Sequence, residues 1–510
     1  MSHLPILPIL VPLLAGALIL LVERRGIAWQ RTVSWTALAA LLSITITLVA
    51  RANQGDVMVY LVGDWPARLG IALMVDRVNA LMILATTLLA IASLLYACAG
   101  WDRRALHFHA LFQLQLAGLN GAFLTGDLFN LFVFFEVLLI ASYGLMLSGG
   151  QGLRMRAGMH YVVFNIMAST LFLIALGLLY GMTGTLNMAE MALRISTADA
   201  QDVVLIRAVS GILLVVFCAK AALLPLYLWL PETYSRAPAA VVALFTVMTK
   251  VGIYAVLRVY SLVFGYGTGE LAGWAWEWLL PAGLVTLLLA SLGVLAARTL
   301  RGGVAYLVIA SAATLFVAFS LQTAGTIGAG LYYLLHSTFV TAALFLIVDM
   351  VRRQRGASGD NLDVAAPMGS RTLLGLMFLV AAVAVAGLPP LSGFIGKLAL
   401  LMAVPAAQTG WVWTITLTTS LMVLVALSRM GSQVFWRAQD YGSDDEAAPS
   451  PPGRLEIAAA GLLLAYGVAL AIAAAPVLRY TLAAGEQVLA PERYIKQVLA
   501  TQPLQRTPSP

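Results

Sequence analysis

Fourteen runs of about 20 predominantly apolar residues recur along the 510-residue chain. They fall near 3–22, 32–50, 74–99, 107–124, 128–147, 157–181 and 203–230, then 238–263, 273–297, 303–321, 326–350, 372–404, 410–436 and 454–478. Each is about as long as a helix must be to cross the hydrocarbon core of a bilayer, where backbone polar groups have to be satisfied internally. The chain is 61% hydrophobic and only 10% charged, which leaves too little polar surface to cover soluble domains. The pattern predicts an all-α polytopic membrane protein with about 14 transmembrane helices. The first run lacks a basic leader and a small-residue cleavage site, so it is expected as a retained helix rather than a signal peptide. The polar insertions 51–73, 182–202, 351–371 and 437–453 are each too short to fold alone. In the tail 479–510, the stretch 482–500 is expected as an amphipathic helix.

The net charge of +7 points to nucleic acid only if the positions of the charges are ignored. Counting loops between the runs, odd-numbered loops hold sixteen arginines and even-numbered loops hold four: Arg51, Arg68, Arg194 and Arg207. Basic loops stay in the cytoplasm, so both termini are expected outside. Arg479, Arg493, Lys496 and Arg506 in the tail oppose this, but the rule weighs tails less than short loops. Cys98 and Cys218 lie in apolar runs and form no CxxC site; no haem, nucleotide or other cofactor motif and no metal site is visible. The acidic run Asp444-Asp445-Glu446 sits beside Pro-rich sequence and reads as solvated loop rather than the metal–diphosphate cluster of a membrane transferase. His107, His109 and His160 stand near helix starts and are expected at the interface.

Only four of the thirty basic residues are lysine, and three of these, Lys220, Lys250 and Lys397, lie inside apolar runs. Glu136 and His336 do too. A charge at mid-membrane costs about 2.5–3.5 kcal/mol on insertion scales, so such groups usually face the protein interior and serve function. The alternatives are static ion pairs for Glu136 and Lys220, and a helix–helix hydrogen bond for His336. Lysine is chemically pointed here, because a desolvated lysine can release its proton whereas arginine cannot. Lys220 precedes Pro225 by five residues, and Lys397 follows the Pro389-Pro390 pair, seven residues after Pro390. Proline breaks a helix, and within a bilayer the freed groups need protein or water partners; an ordinary kink is the alternative for Pro225. The same parts in reversed order are what an inverted repeat produces, and broken helices in corresponding positions mark ion sites in transporters.

The stretches GDLFNLFVFFEVLLIASYGL, AKAALLPLYLWLPETYSRAP, ALFTVMTKVGIYAVLRVY and GLPPLSGFIGKLAL resemble the antiporter-like superfamily over residues 70 to 440. That superfamily includes the proton-pumping membrane subunits of respiratory complex I and the large subunits of Mrp-type (Mnh, Pha) cation/proton antiporters. TKVGIYAVLR after LPETYSRAP resembles the antiporter D-subunit family. The resemblance implies N-terminal helices in 1–106, inverted five-helix repeats in 107–263 and 273–436, each with a broken helix, and a last helix with tail in 454–510. It implies a proton route through Glu136 paired with Lys220, then Lys250, His336 and Lys397. It also implies Na+ or K+ as the exchanged cation, hydrophobic partner subunits and a bacterial inner membrane. Thr341 departs from the pattern, since family members often carry lysine there. The rival functions are a pumping subunit of complex I or of a membrane-bound hydrogenase, and a non-transporting scaffold of fixed ion pairs.

Overall fold

The computed structural model describes residues 3–150, 152–265, 267–363, 368–437 and 451–503; the acidic run at 444–446 lies outside them. The helices in chain order are α1 Leu7–Val22, α2 Ile27–Ala52, α3 Arg77–Ala97, α4 Phe108–Leu124, α5 Leu128–Leu147, α6 Leu153–Thr183 and α7 Met188–Ser196. Next come α8 Ala200–Ala221, α9 Trp229–Arg236, α10 Ala239–Phe245, α11 Met248–Leu262, α12 Trp274–Ala296, α13 Leu300–Ser320 and α14 Ala324–Gln354. The last are α15 Arg371–Ala386, α16 Ser392–Ala403, α17 Thr409–Gly431, α18 Arg454–Ile472, α19 Ala474–Val488 and α20 Pro491–Ala500. Among the described residues, 12 helical segments are long and apolar enough to cross a membrane. The runs at 107–124 and 372–404 give shorter helices: α4, and the pair α15 and α16.

Several boundaries depart from the sequence expectation for identifiable reasons. The run at 74–99 does not begin as a helix: Ala72–Val75 is a strand that pairs antiparallel with Met58–Leu61, Met58 opposite Val75. Asp76 ends that strand and caps α3 by accepting from Asn79 N at 2.9 Å. The apolar run 203–230 is two helices, because Ala222 leaves α8 at φ +59 just before a cis Leu224–Pro225 bond. The run 372–404 breaks the same way, with Gly387 at φ +82 before a cis Pro389–Pro390 bond. A Cβ at Gly387 would meet Lys397 Cδ at 2.8 Å, so this turn leaves space for that lysine. The tail is also two helices rather than one, since Pro491 begins α20.

Helices α4, α10, α11, α13 and α14 are buried along nearly all their length, and α3 along most of it. Arg31, expected in a loop, is the fifth residue of α2. It donates through Nε (2.6 Å) and Nη2 (2.9 Å) to Asp102, in the loop between α3 and α4. His109 was expected at the interface but is fully buried; its ring nitrogens face Asp102 Oδ2 (3.2 Å) and Ser34 Oγ (3.0 Å). His107 and His160 are exposed, near Glu23 (2.7 Å) and Glu232 (3.8 Å). Cys98, Asp102 and His109 bring three ligand-type atoms within 4.8 Å of one another. Arg31 occupies both Asp102 oxygens, so this cluster is an ion-paired clasp tying α2 to α4. Burial alone would raise the Asp102 carboxyl, but its bonds to His109 and Arg31 outweigh burial and hold it at about 2.

The clasp therefore contributes stability fully above the ordinary carboxylate range near pH 4, and loses it as pH falls towards 2. Asp102→Asn is expected to cost about 1–3 kcal/mol in unfolding of the solubilised protein and to remove that acid-dependent step. Denaturant unfolding followed between pH 7 and pH 3 checks both.

Candidate functional site

Eight helices in contact, each with the next, carry the five ionisable groups singled out above: α5, α6, α8, α11, α13, α14, α16 and α17. Lys220, Lys250 and His336 are buried at 5%, 0% and 1% exposure, while Glu136 and Lys397 are half-buried. The fully enclosed members thus occupy the middle of the row, and the more accessible members are its ends.

Lys220 sits in the last turn of α8, immediately before the break. Direct pairing with Glu136 was the expectation, but the contact runs through a third residue. Lys220 Nζ donates to Ser169 Oγ at 3.1 Å, and Ser169 in turn donates a short hydrogen bond to Glu136 Oε1. Asn165, one turn earlier on α6, offers its Oδ1 to Lys220 at 3.4 Å, and Lys220 Nζ lies 5.9 Å from the centre of the Phe135 ring. The hydroxyl accepts from one titratable group while donating to the other, which is the geometry of a proton relay. The groups freed by the break find partners: Trp229 Nε1 donates to Ala219 O (3.1 Å), and Leu224 N donates to Thr286 Oγ1 (3.1 Å).

Lys250, on α11, has no carboxylate within ion-pair distance among the described residues; its polar contact is Ser311 Oγ at 3.1 Å. His336 Nδ1 lies 2.9 Å from Ser392 Oγ, in the first turn of α16, and Lys397 is within electrostatic reach of the ring. Lys397 Nζ donates to Ser420 Oγ (2.9 Å) and to the carbonyls of Val385 (3.2 Å) and Ala386 (3.1 Å). Those carbonyls are the ones left open where α15 stops, so the second break builds the socket for its own lysine. A cavity of about 30 Å³ adjoins Lys397 and is lined by hydroxyls of Tyr333, Thr314, Thr416 and Ser420. It has room for about one water. Tyr333 also faces His336, ring centres 5.7 Å apart, and so bridges the two. Thr341 is buried and donates to Ser337 O in its own helix at 2.6 Å, leaving no titratable group at that position.

Four serines therefore hold the row, one at each buried base: Ser169, Ser311, Ser392 and Ser420. None of them was legible in sequence, because serine in an apolar helix most often bonds its own preceding turn. Arg258 was missed as well, an arginine two turns beyond Lys250 inside an apolar run. It is buried and pairs with Asp76 Oδ2 at 2.5 Å, with Tyr254 and Tyr494 stacked against it. Arginine is therefore not confined to the loops of this chain.

Fold and site together define a polytopic helical membrane protein whose interior carries a row of ionisable groups across two broken helices. The chain belongs to the family described as NADH:quinone oxidoreductase/Mrp antiporter, TM, which matches residues 125–423. It is 39% identical to the D subunit of a probable K(+)/H(+) antiporter of Rhizobium meliloti, with 98% of each chain covered. It is 35% identical to the D subunit of the Na(+)/H(+) antiporter of Alkalihalophilus pseudofirmus, covering 98% of this chain and 100% of that one. A chain of the Mrp complex from a Dietzia species superposes with a TM-score of 0.89 at 26% identity, covering 98% of this chain and 100% of that chain. A chain of respiratory complex I from Thermus thermophilus shares the fold, with a TM-score of 0.76 at 21% identity and the same coverage.

Because Lys220 and Ser169 share a contact, their truncations should not be additive. A cycle of Ser169→Ala and Lys220→Ala, read from unfolding of the solubilised protein, is expected to show a coupling of about 0.5–3 kcal/mol. Ser169→Ala and Ser420→Ala, which share no partner, should add.

Proposed function

We propose that this chain is the proton-translocating subunit of a multisubunit monovalent-cation/proton antiporter, with Na+ or K+ as the exchanged ion. Protons pass through Glu136, Ser169, Lys220, Lys250, His336 and Lys397, and their entry from outside drives cation export through the complex. The observation that carries this reading is Lys250: a fully buried lysine held by a hydroxyl and by no carboxylate among the described residues. A scaffold of fixed ion pairs would supply such a charge with its partner, whereas a carrier needs a group that can release its proton. The names of the relatives support antiport over the complex I or hydrogenase reading, since the complex I likeness carries fold alone.

The two halves 107–263 and 273–436 act as inverted repeats, with one lysine before its break and the other after it. The chain works within a complex. Glu136 shares a stripe of α5 with exposed Phe129, Val133 and Ile140, and a mid-membrane carboxylate on such a stripe requires cover from a neighbouring subunit. We place the protein in a bacterial inner membrane with both termini outside. Residues near both ends of the described chain flank one hairpin: His3 bonds Tyr60 at 3.0 Å, while Tyr494 stacks on the Arg258 that pairs with Asp76. Arginines of the odd-numbered loops gather on a single cavity, as loops on one face must.

Lys220→Ala or Glu136→Ala in the whole complex is expected to abolish cation-dependent proton flux in vesicles without loss of assembly. Lys220→Arg should fail equally, because its proton cannot leave. Normal antiport by any of these variants would overturn the conducting role. The same vesicles, given Na+, K+ and Li+ in turn, identify the cation.

A further inference from the structure

On the face that carries the arginine-rich loops, a cavity of about 130 Å³ opens between α3, α6, α13, α14 and α18. It is unconnected with the proton row, and five arginines line it: Arg104, Arg154, Arg301, Arg352 and Arg353. Two carboxylates line it too, Asp349 and Glu456, but both are already engaged. Asp349 pairs with Arg352 (2.9 Å) and Arg353 (3.2 Å), and Glu456 pairs with Arg353 (2.8 Å). Arg301 makes a two-pronged contact with Asp360, through Nε at 3.1 Å and Nη2 at 2.9 Å. Against five guanidinium groups there are thus three acids, and Arg104 and Arg154 have no carboxylate partner among the described residues.

Arg154 is the informative member. It is half-buried, with Trp101 5.5 Å beneath its guanidinium carbon. Its Nε donates to Arg236 O at 3.0 Å, and its Nη1 reaches Ser148 O and Gly149 O only at 3.4 and 3.3 Å. An aromatic floor and backbone carbonyls hold this cation beside four other arginines, although like charges brought together cost energy unless an anion joins them. Guanidinium groups offer the planar paired donors that fit phosphate oxygens. The cavity, at about 130 Å³, has room for a phosphate group. Basic pockets between membrane helices on the cytoplasmic side are also where anionic headgroups bind.

We infer that this cavity binds a phosphate group, either inorganic phosphate or the headgroup of an anionic phospholipid, held chiefly by Arg154 and Arg104. The bound anion joins the starts of α6 and α13 to the end of α14, and so fastens the two halves of the protein on this face.

The test uses the intact purified complex. Equilibrium dialysis with radiolabelled inorganic phosphate is run in detergent, then in nanodiscs of phosphatidylcholine or of phosphatidylglycerol. Saturable phosphate binding that is the same in both lipids assigns the free anion. Binding in phosphatidylcholine that phosphatidylglycerol suppresses assigns the headgroup. In either case Arg154→Gln is expected to weaken phosphate about tenfold, the loss of one charge-assisted hydrogen bond. Arg104→Gln should weaken it severalfold. Arg104 makes no side-chain contact that holds the fold among the described residues, so its variant keeps the test sound if Arg154→Gln destabilises the α6 entry. Absence of saturable binding in detergent and both lipids, or binding indifferent to both variants, would overturn the site.

Discussion

A cation in a medium of low dielectric must be held by something, and the structure of this protein follows from what is chosen to hold its lysines. Carboxylates would lock each charge in place. Here Lys250 and Lys397 rest on serine hydroxyls and backbone carbonyls, and Lys220 reaches Glu136 only through the hydroxyl of Ser169. Hydroxyls donate and accept, so they solvate a lysine in either protonation state. Ser311 and Ser420 accept from a lysine while donating to a carbonyl of their own helix. Ser169 alone donates to another titratable group, which sets the Glu136 end of the row apart.

The second broken helix makes the socket of Lys397. An unbroken helix consumes its own carbonyls, and a socket of the kind around Lys397 needs carbonyls that are free. The turn at Gly387 releases Val385 and Ala386 towards the Nζ, and the return of α16 brings Ser392 against His336. Around this interior the permanent charges act as fasteners: Arg31 with Asp102, Arg258 with Asp76, and Arg301 with Asp360. The division is chemical: arginine, which keeps its charge, makes these ion pairs, and lysine, which can lose its charge, rests on hydroxyls.

Much of this was legible in sequence because the membrane imposes one dominant rule, and charges that violate it stand out. Spans, breaks and the five ionisable residues all emerged from apolar runs and their interruptions. The strands at 58–61 and 72–75 did not, because short apolar stretches beside a long apolar helix carry no period of their own. Nor did the burial of His109, whose partner Asp102 is seven residues away across a loop and whose other partner, Ser34, belongs to another helix. The four serines were invisible for a related reason: each matters through a contact 23 to 61 residues distant along the chain, and serine alone predicts no such contact. The supposed direct pair of Glu136 and Lys220 shows the same limit, since proximity could be inferred but not the hydroxyl between them.

The claim on which the rest depends is that the central lysine is a site of proton release rather than a fixed charge. Replacing Lys250 by arginine preserves the cation and forbids its deprotonation. Proton flux measured on vesicles carrying the assembled Lys250→Arg complex, with the exchanged cation imposed as the gradient, is the most direct measurement. The account predicts a fully assembled complex with no cation-dependent flux; antiport at the wild-type rate would contradict it.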